Sequence, residues 1–109
     1  MDLIELARIR QEKAGRKYIM ADGHNQAEYR DGGLDIMEEL ADAWNIANLW
    51  EQRMKAAGVW NEDKGWNLLQ LEIKLRACAY YVAIVRESLP EEFRQDLIEV
   101  DRVARWEDG

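Results

Sequence analysis

The chain has 109 residues, of which 22 are acidic and 15 basic, for a formal net charge of −7. That balance excludes a nucleic-acid groove, which needs clustered Lys and Arg to neutralise phosphates, while a 48% apolar content with five Trp excludes a disordered acidic segment. One Pro and seven Gly leave room for long helices, and the β-branched residues are too sparse and unalternating for strands. The expected class is all-α, in one domain spanning the whole chain.

Asp2 to about Met20 has the spacing of a first helix, with Leu3, Leu6 and Ala7 on one side and Ile9 at its edge. Its second half is basic: Lys13, Arg16 and Lys17 stand where a helix C-terminus favours cations. They complement the dipole there or contact a phosphate. No signal peptide is visible in MDLIELARIR, since its charges leave no room for an apolar stretch. From Ala21 to Gly33 the pattern dissolves into a loop punctuated by Asp22-Gly23 and Asp31-Gly32-Gly33. His24 lies in it with no second His or Cys nearby, as expected of an exposed loop residue rather than a zinc ligand.

Arg30 to Met54 predicts a central helix, opened by the Asp-Gly-Gly turn and closed near Gly58. At about 100° per residue, Ile36, Met37, Leu40, Trp44, Ala47 and Met54 form its core-facing stripe. Asp35, Glu38, Glu39 and Asp42 gather elsewhere with no base among them, in a sector that continues as Ile46, Leu49 and Trp50. Like charges three and four apart repel by a few tenths of a kcal/mol per pair. The acids are therefore either a solvated stripe favoured by the helix dipole or, partly covered by another helix or subunit, holders of a divalent cation.

After a connector in which Asn61 or Asp63 serves as cap, a helix from about Gly65 to Leu89 is apolar on two sides. Trp66, Leu69, Ile73, Tyr80 and Ile84 make one stripe, and Leu68, Leu71, Leu75, Cys78 and Val82 the other. In so small a chain the second contact is most simply another subunit, so a homodimer or higher homo-oligomer is expected. Cys78, inside an apolar run, is expected to be buried in a reducing compartment. Glu72 and Arg76, four apart, suit an ion pair, with Glu72 an alternative second-helix metal ligand. Pro90 predicts the start of a last helix carrying Phe93, Leu97, Val100 and Ala104 and ending near Trp106. The layout is a four-helix bundle-like domain, completed by dimerisation. Its longest apolar run, Ala77 to Val85, is too short for a membrane span, so a cytoplasmic protein is expected.

Glu38-Glu39-Leu40-Ala41-Asp42-Ala43-Trp44-Asn45 resembles the EExxD helix of the all-α nucleoside triphosphate pyrophosphohydrolases, the MazG-like and dimeric dUTPase-like superfamily. Arg16-Lys17-Tyr18 and Tyr29-Arg30-Asp31 resemble the lead-in of small phage-type members. The likeness covers roughly Gly15 to Met54, and the second acidic motif usual in the family, ExxE, has no clean copy here. The resemblance implies hydrolysis of a nucleoside triphosphate to monophosphate and pyrophosphate with Mg²⁺ or Mn²⁺. Glu39, Asp42 and Glu38, with Asp35 beside them, would hold the metal, and Glu38 would alternatively help activate water. Lys13 or Lys17 would steady the phosphates, and Asn45 would contact the nucleotide. Trp60, in a connector, is a candidate for base stacking. The competing class is a helical accessory or interaction protein whose Trp residues belong to packing or a partner surface.

Overall fold

The computed structural model describes residues 2–14, 20–21 and 23–100. Among them the protein is all-helical, with α1 (Leu3–Ala14), α2 (Gly32–Ala56), α3 (Glu62–Ser88) and two short 3₁₀ helices, Gln26–Tyr29 and Glu91–Arg94. They fall into two compact units, one of Asp31–Gln95 and one of the residues on either side of it. Among the described residues, no helix is long and apolar enough to cross a membrane.

The unit Asp31–Gln95 is an antiparallel helical hairpin. Asp31 caps α2, its Oδ1 accepting from the Leu34 amide at 3.0 Å. At the far end Gly58 adopts φ 73°, and two amides close the helix: Gly58 onto the Lys55 carbonyl and Val59 onto that of Met54, both at 3.1 Å. This is the paired arrangement that satisfies the last carbonyls of a helix. Asn61 caps α3 through the Lys64 amide at 2.9 Å. Trp60 closes the connector against Gly65, where an added Cβ would stand 3.1 Å from the indole, and the Lys55 ammonium lies 5.1 Å from the ring centroid.

The seam follows steps of three and four on both helices. On α2, Gly33, Met37, Leu40, Trp44, Ala47, Glu51 and Met54 are buried or half-buried; on α3, Leu68, Glu72, Leu75, Ala79, Val82 and Arg86 are. That repeat keeps one face of each helix on its neighbour over many turns. Ala47, Met54 and Leu68 are the buried apolar residues of this core. Ile36, expected in the stripe, is half exposed at its edge.

In the other unit, α1 carries no buried residue, and Leu3 and Leu6 are exposed. Asn25 caps the 3₁₀ helix that follows, its side chain accepting from the Ala27 amide at 2.9 Å. His24 Nδ1 lies 2.9 Å from Glu28 Oε2, and its ring meets Tyr29 edge-on at 6.1 Å.

Two expectations are corrected. The last helix is absent from residues 90–100: after the 3₁₀ turn Gln95 is extended, and the Leu97 amide donates to the Tyr29 carbonyl at 2.7 Å. A hydrogen bond across so long a stretch of sequence takes the amide that an i−4 carbonyl would have received. The described residues thus hold three α-helices, not four; Ala104 and Trp106 lie outside them. Cys78 is exposed: the seam on α3 steps from Leu75 to Ala79 and leaves Cys78, like Leu71 before it, on its solvent flank.

Candidate functional site

The N-terminal half of α2 is positioned by an ion pair. Arg86 of α3 donates from Nε and Nη2 to Asp31 Oδ2, at 2.9 and 2.7 Å, while its Nη2 also reaches the Arg94 carbonyl at 2.9 Å. Gly33 makes room for it: a Cβ there would lie 3.0 Å from Arg86 Cδ. This pair fixes which way the first turns of α2 face. Sequence reasoning missed it, since the partners stand 55 residues apart; the one available signal was an Asp before two glycines, in N-cap position.

With that orientation set, Met37, Leu40 and Trp44 point to α3, and Asp35, Glu38, Glu39 and Asp42 fall on the other side of α2. Asp35, Glu38 and Asp42 are half-buried and Glu39 is exposed. Further along the same side Ile46, Leu49 and Trp50 are exposed. Asn45, one turn beyond Asp42, is exposed.

The other candidates are dispersed. Trp60, half-buried, belongs to the opposite end of the hairpin, separated from Asp42 by roughly 20 Å of helix at 1.5 Å per residue. Lys13 is exposed in the last turn of α1, and Lys17 lies outside the described residues. Glu72 is half-buried in the α2–α3 seam. The expected ion pair of Glu72 with Arg76 gives way to a cation–π contact, the Arg76 guanidinium 5.1 Å from the Trp44 ring centroid.

Carboxylate oxygens are hard donors of the kind Mg²⁺ takes. Among the described residues, no three His, Cys, Asp or Glu side chains gather so as to hold an ion by themselves. Mg²⁺ is, however, usually held through one or two carboxylates, with waters and substrate phosphates completing its octahedron. Glu38 with Asp42 at i,i+4, or Glu39 with Asp42 at i,i+3, has the donor chemistry for that smaller role.

An open groove of about 290 Å³ runs between the helices, lined by Met37, Leu40, Ala41, Trp44, Leu75, Arg76 and Ala79, with none of the acids in its wall. A second groove, of about 280 Å³, lies nearer the Asp31–Arg86 end, between Ile36 and Val85. No family model, curated protein or solved structure matches the chain.

Proposed function

We propose that this chain is a subunit of a cytoplasmic, homo-oligomeric nucleoside triphosphate pyrophosphohydrolase that uses Mg²⁺ or Mn²⁺. The observation that carries the reading is the run of acids on α2, three of them half-buried, on the side turned away from α3. It is supported by the likeness of Glu38–Asn45 to the acidic helix of that superfamily. In this reading Glu39 and Asp42 hold the metal, Glu38 a metal or the attacking water, and Asp35 adds negative charge. Asn45 contacts the nucleotide. Bound Mg²⁺ supplies charge neutralisation at the phosphates and a more acidic water. The chain supplies the carboxylates and their fixed spacing along one rigid helix.

Self-association enters because the side of α3 away from α2 carries an apolar stripe broken only by Gln70: Trp66, Ile73 and Tyr80 are 63%, 50% and 64% exposed. Such a face suits a second copy; it lies across the hairpin from the acids of α2, so assembly there would steady the fold while waters and the substrate's phosphates complete the ion's coordination.

The test is a pyrophosphate-release screen over standard and modified nucleoside triphosphates with Mg²⁺ or Mn²⁺. Turnover of at least one, lost in Glu39→Gln and Asp42→Asn, is expected. Silence over the whole panel overturns the enzyme reading and favours the second one, a helical interaction protein, which the same exposed face of α3 supports.

A further inference from the structure

The Arg76–Trp44 contact crosses the edge of the hairpin seam, and both residues line the 290 Å³ groove. Arg76 is exposed, and among the described residues no carboxylate pairs with it. A guanidinium lying over an indole, 5.1 Å from the ring centroid, gains a modest electrostatic attraction and keeps donors directed outward. Below it the walls are apolar: Met37, Leu40 and Ala41 from α2, Leu75 and Ala79 from α3. The groove approaches the lower end of small-molecule sites, which are mostly apolar with a few placed polar groups. Ala41 and Ala79 are the small residues of its lining, and Glu38 and Asn45 stand next to Ala41 on the surface of α2, three and four residues away.

We infer that this groove is an aromatic-anion site, taking the base of a nucleotide beside Trp44 and its phosphate at Arg76. The choice of a nucleotide among aromatic anions rests on the function proposed above; the site itself rests on the groove and the stacked cation. A planar ring matches an apolar groove with an indole in its wall, and a phosphate matches the forked donors of Arg. The base edge then has the Asn45 amide within the same stretch of helix.

The experiment is calorimetric titration of the full chain, in EDTA, with AMP, GMP, CMP and UMP and with the matching nucleosides. Binding of at least one monophosphate is expected. Arg76→Gln should weaken it about tenfold while leaving the corresponding nucleoside unchanged, and Trp44→Leu should weaken both. Trp44→Phe, which keeps a ring, should retain binding and guards against a simple folding defect, with circular dichroism of each variant as control. No monophosphate binding, equal loss of nucleotide and nucleoside in Arg76→Gln, or indifference to both substitutions overturns the inference. So does binding that vanishes as the protein self-associates, since a second copy then fills the groove. Because metal is absent, these titrations stand apart from turnover: binding without any pyrophosphate release sinks the catalytic reading alone. Turnover abolished by Asp42→Asn but untouched by Arg76→Gln sinks the groove alone.

Discussion

Arg86 on α3 holds Asp31 at the head of α2 through two hydrogen bonds to the same carboxylate oxygen, Oδ2, at 2.9 and 2.7 Å. The other oxygen, Oδ1, caps α2 through the Leu34 amide at 3.0 Å. One side chain, 2% exposed, thereby both starts a helix and ties it to its neighbour. Removing either charge breaks the pair, and for a buried pair that costs on the order of 3 kcal/mol. The two substitutions are not equal. Arg86→Met takes two donors and a positive charge away from the buried carboxylate, whereas Asp31→Asn keeps an oxygen for the Leu34 amide and leaves a guanidinium one-third exposed to water. Urea denaturation should therefore rank Arg86→Met below Asp31→Asn, and Asp31→Ala, which also loses about 1 kcal/mol of capping, below Asp31→Asn as well. Equal midpoints for all three variants and the parent would refute the latch.

The two glycines after Asp31 should respond to alanine with opposite signs. Inside a helix Gly→Ala ordinarily stabilises by roughly 0.5–1 kcal/mol. A Cβ at Gly32 would have nothing within 4 Å, so Gly32→Ala should raise the melting temperature. At Gly33 it would meet Arg86 Cδ at 3.0 Å and Cβ and Cγ at 3.2 Å. Arg86 is pinned by Asp31 and the Arg94 carbonyl and has little freedom to yield. Gly33→Ala should lower the melting temperature, and should do so less in an Arg86→Ala background, where the crowding atoms beyond Cβ are gone.

How far the hairpin was legible follows from where its information lies. The bounds of α2 and α3 rest on local chemistry: Asp-Gly-Gly, the left-handed Gly58 and the Asn61 cap all sit in sequence beside the ends they make. The apolar stripe on α2 was equally readable, because Met37, Leu40, Trp44, Ala47 and Met54 keep one period. On α3 periodicity gave two stripes of equal weight and no means to choose between them. The choice went to Leu68, Leu75 and Val82, which share a seam with Ala79 and with the Arg86 that Asp31 needs. That is a relation between helices, invisible in either alone. Leu97 failed for the same reason, its amide being taken by Tyr29. Of the candidate site, the acids on one side of α2 follow from spacing; the Arg76–Trp44 contact needed the hairpin's register.

Cys78 gives a direct check on the face of α3 that was chosen. Its exposure means a maleimide or aromatic disulfide reagent should modify the native protein to one equivalent, at nearly the rate seen in urea. A rate suppressed a hundredfold or more would mean the thiol is covered, either by self-association or by a rotation of α3. Repeating the reaction at rising protein concentration separates the two, since only association makes protection grow with concentration.

The outward stripe of α3 bears most directly on assembly. Ile73 lies at its middle and is half exposed, and surface substitutions at such places usually change stability by no more than about 0.5 kcal/mol. If a second copy covers the stripe, Ile73→Glu instead places a charge in an apolar contact and leaves it unpaired. Light scattering coupled to size exclusion should then show the parent chain as an oligomer and Ile73→Glu as a monomer, with a melting temperature that no longer rises with protein concentration. Glu87→Lys, a charge change on α3 beyond the stripe's last residue, Ile84, should leave the mass unchanged and serves as the control. A parent chain that runs as a monomer at all concentrations, and an Ile73→Glu variant as stable as the parent, would show that this face is left in water.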